Sequence, residues 1–240
     1  MISNSRALVL SRSKIREADR LCFLYSEEHG KVMVRFMGAE RSKGKLKGLS
    51  EPLIWGEYRL YHTPRGALWK GIGGAILSSF PAVRADVGRT LGALSCLELL
   101  GALSPLHSPN PVKYVLALSA LQAFERAASP WIATAFGLRV LAAAGLGFPR
   151  RPDECESSEL WDALLAEDFS GLRAHPFDAV MDAALKGLIR SQAEEHSQGP
   201  LRSWDVAKRL DLFDRKETEA AGRRVVDDKM FTLTPDPGPL

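Results

Sequence analysis

The first third of the chain alternates short apolar runs with polar or glycine-containing turns, which is the pattern of successive β-strands. The runs are rich in Val, Leu, Ile, Phe and Tyr, residue types that pack well on a pleated sheet. The pattern predicts five strands: ALVLSRS (7–13), RLCFLYS (20–26), KVMVRFM (31–37), PLIWGEYRLYH (52–62) and ALWKGIGGAIL (67–77).

The third run shows which strand face is buried. Val32, Val34 and Phe36 share one face, whereas Lys31 and Arg35 lie with two methionines on the other. Five short strands within about 75 residues are typical of a small barrel such as the OB-fold, whose exposed face and loops commonly bind single strands. Three glycines late in the last run predict a bulge or a barrel bend there: Gly71, Gly73 and Gly74.

From Ser79 onward the apolar residues recur at steps of three and four, which indicates helices. We expect Ser129 to cap the third helix, with Pro130 at its first position and Gly145 and Gly147 ending it. The predicted helical segments are 79–103, 112–128, 129–147, 159–169 and 176–196.

These elements predict an α+β chain: an N-terminal five-stranded OB-fold-like β-barrel followed by an all-α helical domain. We place the barrel at residues 1–78, the helical domain at 79–215 and a polar, partly disordered tail at 216–240. The sequence has no internal repeats, and no apolar stretch approaches the roughly 18 residues of a membrane span.

Charge separates the same two parts. The formal net charge is +3, but residues 1–78 hold 14 Lys and Arg against 7 Asp and Glu, whereas the remainder holds 18 against 22. A basic front part favours an anionic partner. Three scattered cysteines and the absence of a secretory signal predict a cytoplasmic protein.

No catalytic motif is present. The chain lacks H-E-x-x-H, C-x-x-C, G-x-S-x-G and the dinucleotide-binding glycine pattern, and its five histidines are isolated in sequence. We therefore expect no enzyme activity and no cofactor; a hydrolase with a scattered active site is the remaining catalytic alternative.

Cationic residues cluster at two places: SRSKIREADR and the glycine-containing arm GAERSKGKLKG (38–48). A cation at every second residue can follow successive phosphates, and glycines would let the backbone conform to them. Aromatic rings could add stacking surfaces for bases. The candidate phosphate contacts are Arg35, Arg41, Lys43, Lys45 and Lys47, followed by Arg12, Lys14, Arg16 and Arg20; the candidate stacking residues are Phe23, Tyr25, Trp55, Tyr58, Tyr61 and Trp69.

Several ordered segments resemble the bacterial DNA-repair family RecO. They include the E-A-D-R before the second strand, the H-G-K turn, the G-A-x-R-S-K arm followed by E-P-L, and the S-F-P-x-x-R start of the first helix. The segments RVLAAAGLGFPRRPDEC and GPLRSWDVAKRL extend the likeness towards residue 210.

The resemblance implies an N-terminal OB-fold and a helical C-terminal domain. It also implies binding of single- and double-stranded DNA and annealing of complementary strands. The implied partners are RecR and the C-terminal tail of single-stranded-DNA-binding protein, with RecA loaded indirectly and no membrane involved.

The chain departs from the family at one point. Many RecO proteins hold zinc through four cysteines after the third long helix, whereas this chain has only Cys155 there. One thiolate cannot make a tetrahedral site, so we predict no metal. The alternative to DNA binding is a protein-interaction scaffold that binds acidic peptide tails and contacts DNA only incidentally.

Overall fold

The computed structural model describes residues 1–41, 43–63, 66–197 and 201–204. Five strands come first: β1 (Ile2–Lys14), β2 (Arg20–Ser26), β3 (Gly30–Phe36), β4 (Trp55–Tyr61) and β5 (Leu68–Ser78). Helices follow: α1 (Pro81–Arg84), α2 (Val87–Ala102), α3 (Pro111–Glu125), α4 (Ile132–Ala143), α5 (Ser158–Ala166) and α6 (Ala179–Glu194). Short 3₁₀ turns cover Gly48–Ser50 and Gly171–Ala174.

The strands close into a barrel in the order β1-β2-β3-β5-β4, with β4 returning to β1. All neighbours are antiparallel except β3 and β5, which run parallel. The predicted alternation in β3 is confirmed, because Val32, Val34 and Phe36 are fully buried in the barrel core. The α+β fold predicted from the sequence, a five-stranded barrel followed by helices, is therefore confirmed.

Two helix boundaries differ from the prediction. The segment 79–103 is split, because Asp86 has extended backbone and its carboxylate accepts a hydrogen bond from the Arg89 N–H, which starts α2 as a separate helix. Trp131, not Ser129, is the N-cap of α4. The Ser129 hydroxyl, two residues before the cap, accepts a hydrogen bond from the Trp131 N–H.

The barrel and the helices share one compact unit, Met1–Ser203. At their junction, Lys31 donates from Nζ to the carbonyl of Gly101 at 2.6 Å, and its own carbonyl accepts from His107 N–H. A Cβ on Gly30 would lie 2.2 Å from the carbonyl oxygen of Ser108, so the β2–β3 turn approaches the α2–α3 loop too closely for any other residue.

The predicted domain limits remain a prediction. The change from strand to helix falls after Ser78, where β5 ends. Residues 205–240, which include the end of the predicted helical domain and the tail predicted at 216–240, lie outside the described residues. Among the described residues, no helix combines the length and apolar character that a bilayer crossing requires.

Candidate nucleic-acid interface

The arm between β3 and β4 is a succession of turns. The N–H groups of Arg41, Gly44, Lys47 and Ser50 each donate to the carbonyl three residues earlier, at 3.0–3.2 Å. A Cβ on Gly44 would lie 2.4 Å from the carbonyl oxygen of Gly38, so the arm folds back closely on itself. In the structure the glycines of the arm permit tight turns; the adaptation of its backbone to phosphates stays a prediction.

Arg20 holds the base of this arm. Its Nε lies 2.5 Å from Glu40 Oε1 and its Nη1 lies 2.7 Å from Glu51 Oε1; Nη1 also donates to Ser50 Oγ. Only 3% of the Arg20 side chain is exposed. The structure thus corrects the prediction that Arg20 contacts phosphate, because its guanidinium is buried and its donors are used by carboxylates.

A second ion pair ties the arm to the β1–β2 turn. Arg35 donates from Nε to Asp19 Oδ2 at 2.9 Å, and Asp19 Oδ1 accepts from the Gly38 N–H at 2.8 Å. These bonds hold the pKa of Asp19 below its ordinary value of 3.8, the Gly38 bond contributing most. Arg35, our first candidate for phosphate contact, is therefore part of the arm's base.

Arg12 is an intermediate case. It pairs with Glu51 at 3.1 Å and with Glu40 at 3.5 Å, yet 41% of its side chain is exposed. Hydrogen bonding from Arg20, followed by the charges of Arg20, Arg12 and Lys14, holds the pKa of Glu40 below its ordinary value. Two carboxylates are thus shared among several cations, and Arg12 can still reach solvent.

The other predicted cations are exposed. None of them lies within 4.0 Å of a carboxylate in the described part of the chain. The β1–β2 turn and the arm meet, since the Glu40 N–H donates to the Ala18 carbonyl at 2.9 Å, and they share one end of the barrel. These six exposed cations are Lys14, Arg16, Arg41, Lys43, Lys45 and Lys47.

The aromatic candidates divide in the same way. Tyr25, Tyr58 and Trp69 are buried, and the Trp55 indole donates to the Tyr114 hydroxyl at 3.0 Å. Tyr61 and Phe23 remain accessible on the outside of the barrel. The sequence identified the aromatic residues but not which of them are buried and which are accessible, because the face that a strand buries depends on its neighbours in the sheet.

Lys70 is a candidate that the sequence reasoning missed. It pairs across strands with Tyr61 on β4 and with Arg35 on β3, and its Nζ lies 5.8 Å from the Tyr61 ring centre. An exposed cation beside an exposed ring on a barrel surface is a usual component of single-strand sites. Its position within the apolar run ALWKGIG was the available signal.

Three histidines that are isolated in sequence meet at the opposite end of the barrel. His62 stacks on Trp69 with ring centres 4.1 Å apart, and His29 and His107 lie 5.0 Å and 5.6 Å from the same ring. Burial lowers the pKa of His62, and the charges of the chain's α-ammonium and the two other histidines lower it further. The three imidazole rings together cover Trp69 at this end of the barrel.

The residues present do not fit the family's zinc site. Cys155 is a buried free thiol whose pKa is raised by burial. In the described ranges no group of three or more His, Cys, Asp or Glu side chains is placed to hold a metal. Absence of a metal and absence of catalysis remain predictions for the whole chain.

Comparison with known proteins identifies the family that this chain resembles. Residues 1–72 match the family model "Recombination protein O N terminal". The chain is 36% identical to the DNA repair protein RecO of Myxococcus xanthus (strain DK1622) over 141 residues, which is 58% of this chain and 57% of that protein.

Two further relatives agree. The RecO protein of Bacillus pumilus (strain SAFR-032) is 29% identical over 123 residues, covering 51% of this chain and 47% of the relative. That of Listeria monocytogenes serotype 4b (strain CLIP80459) is 26% identical over 144 residues, covering 58% and 54%. The chain thus spans about half the length of the curated relatives it matches. The resemblance noted from the sequence is confirmed.

Proposed function

We propose, from the likeness of residues 1–72 to the RecO family, that the chain is a non-catalytic DNA-binding protein of homologous recombination and DNA repair. It binds single- and double-stranded DNA and anneals complementary strands. It acts in the cytoplasm, in association with the nucleoid.

The six exposed cations at one end of the barrel are the observation that carries this proposal. They lack carboxylate partners among the described residues, so each is available to replace a counterion at a phosphate. Annealing requires no reacting group, because a cationic surface that binds two strands lowers their mutual repulsion and raises their local concentration. The arm's turns keep these charges together.

The family resemblance also supports specific partners. We propose RecR and the acidic C-terminal tail of single-stranded-DNA-binding protein as direct partners, with RecA loaded indirectly. A cavity of 1080 Å³ between the barrel and α2–α3 supports the second of these partners, because its lining combines apolar and cationic side chains. Its lining includes Leu97 and Leu146 beside Arg12, Lys31 and Lys113.

The same cavity favours the second candidate function, a scaffold that binds acidic peptide tails. Lys113 is buried within it and donates to the Leu103 carbonyl at 2.8 Å, so part of its cationic lining already serves α2. The scaffold accounts for the cavity but gives no reason for six exposed cations at the β1–β2 turn and on the arm. DNA binding is therefore the better supported proposal.

The first test replaces Lys43, Lys45 and Lys47 together by Ala in the full chain. Because three phosphate contacts would be lost, we expect weaker binding to a labelled single strand whatever its sequence. The slope of log affinity against log salt should flatten by about 2, at roughly 0.7 per contact. Fluorescence anisotropy titrations at several salt concentrations measure both quantities.

A matched control removes the same charge elsewhere. Arg126, Arg150 and Arg173 are exposed cations of the helical part, and their replacement by Ala should leave affinity and slope close to those of the unmodified chain. Equal losses in the two triple variants would assign binding to net charge and not to the arm. An arm variant with unchanged affinity and slope would contradict the proposed interface.

A further inference from the structure

The second half of β5 is an unusual strand. β3 pairs with β5 only as far as Gly71, so β5 continues for seven residues with β4 as its described strand partner. The pairing with β4 skips a residue at Ile72 and another at Leu77, which marks two bulges. Bulges re-aim side chains and are frequent beside functional sites.

Large apolar side chains are exposed along this half-strand. Ile72 is 42% exposed, Ile76 is 48% exposed, and Met37, which directly follows the Phe36–Gly71 pair, is 50% exposed. We call these three residues the apolar ledge. An exposed apolar row on a barrel calls for a partner that covers it.

The ledge borders both ends of the cationic arm. Met37 directly precedes the arm, next to the bulge at Ile72, and a Cβ on Gly48, the last residue of the arm, would lie 3.5 Å from Ile76 Cδ1. Ile72 and Ile76 are four residues apart, about 13 Å along a strand. The exposed cations at the tip, Arg41, Lys43, Lys45 and Lys47, belong to the segment whose two ends meet the ledge.

We propose that the apolar ledge is the base-contacting part of the DNA interface and that its occupant is a single strand with unstacked bases. This inference rests on the proposed DNA binding and deepens it. A single strand carries regular negative charge on one side and flat apolar faces on the other, which matches a cationic arm beside an apolar row. In a duplex those faces are stacked inside, so the ledge selects single strands.

The test measures Ile72→Ala/Ile76→Ala against three ligands: a thymidine oligonucleotide of about 16 nucleotides, an abasic strand of the same length and a duplex. We expect about fivefold weaker binding to the thymidine strand, the lower end of what a stacked base contributes. Binding to the abasic strand and to the duplex should be unchanged, because both present phosphates without accessible base faces.

A second variant works in the opposite direction. Ile72→Phe offers a flat ring at the same exposed position and should tighten binding to the thymidine strand alone. Val112→Ala/Val115→Ala, an exposed apolar pair on α3, is the matched control and should change none of the three affinities.

Several results would overturn the inference. Unchanged binding to the thymidine strand, or an equal loss on the abasic strand, would remove the ledge from the site while leaving the arm's role intact. Loss of affinity for an acidic peptide rich in Leu and Phe, with DNA binding retained, would make a peptide the occupant. If the unmodified chain bound none of the three nucleic acids, the proposed function itself would fail.

Discussion

The base and the tip of the arm contain the same kinds of residue in opposite circumstances. At the base, Arg20 is almost fully buried and bonded to two carboxylates, and Arg35 is bonded to Asp19. At the tip, Lys43 and Lys45 are exposed, with no carboxylate in reach among the described residues. Cations of the base are bound to the protein itself, whereas those of the tip are available to another molecule.

The difference teaches how a charged loop can be held in place without losing its charge. Glu40 lies within the arm and Glu51 shortly after it, and both carboxylates are occupied by Arg20 and Arg12. Since these carboxylates are bonded at the base, they do not neutralise the tip. Stability should therefore respond to the bonded cations that hold the arm, and binding to the exposed cations on it.

The largest expected effect comes from Arg20→Ala. Removing one partner of a buried ion pair leaves Glu40 and Glu51 without their main donor, and we expect the free energy of unfolding to fall by about 3 kcal/mol. Urea denaturation followed by circular dichroism measures this change. Arg12→Ala, which removes a far more exposed cation from the same carboxylates, should cost less than about 1 kcal/mol.

The difference between base and tip would disappear if replacing Lys43, Lys45 and Lys47 lowered the free energy of unfolding as much as replacing Arg20. The triple Ala variant of these tip residues should keep the unfolding free energy within about 0.5 kcal/mol of the unmodified chain. A loss comparable with that of Arg20→Ala would mean that the tip is structural as well.

An intermediate effect is expected from the glycines of the arm. Gly44→Ala places a Cβ 2.4 Å from a backbone carbonyl and should lower stability by about 1 kcal/mol or more. Gly48→Ala meets only Ile76 Cδ1 at 3.5 Å and should be neutral or slightly stabilising. Thermal unfolding of the two variants measures this difference. Identical melting temperatures would show that the close approach at Gly44 does not stabilise the folded arm.

The smallest effect is a dependence on pH. The pKa of Asp19 in the folded chain lies below 3.8 and that of Glu40 below 4.5, so both carboxylates stabilise the fold above these ordinary values. That contribution is lost as the pH falls through the lowered values. Asp19→Asn should therefore be less stable than the unmodified chain at pH 7, and the difference should shrink towards about pH 3.

Urea midpoints across this pH range provide the measurement. Glu57→Gln is a suitable control, because Glu57 is an exposed carboxylate on β4 with no ion pair among those of the described residues. A constant difference between Asp19→Asn and the unmodified chain at every pH would show that the Asp19 charge does not stabilise the arm.

The sequence predicted the barrel well because strand alternation is a local signal. Val32, Val34 and Phe36 are buried as their two-residue period requires, and the glycines of β5 do accompany its bulges. Gly71 shows why a glycine is needed in β5, since a Cβ there would lie 2.3 Å from the Phe36 ring.

The site was harder to predict because its partners are distant in sequence. Arg20 looks like any other cation of its cluster until the fold brings Glu40 and Glu51, 20 and 31 residues away, against it. The histidines around Trp69 are likewise separated in sequence and come from three different loops. Charge pattern alone identifies which segment is cationic; only the fold divides bonded cations from available ones.

The glycine at the β2–β3 turn has a consequence for exchanging parts between relatives. Because the turn at Gly30 fits directly against the backbone of Ser108, the barrel is matched to one particular path of the α2–α3 loop. A chimaera that takes its first 78 residues from one of the similar RecO proteins would join two surfaces that were never fitted to each other. The unit that can be transplanted is the barrel together with the loop at 101–109, although these are far apart along the chain.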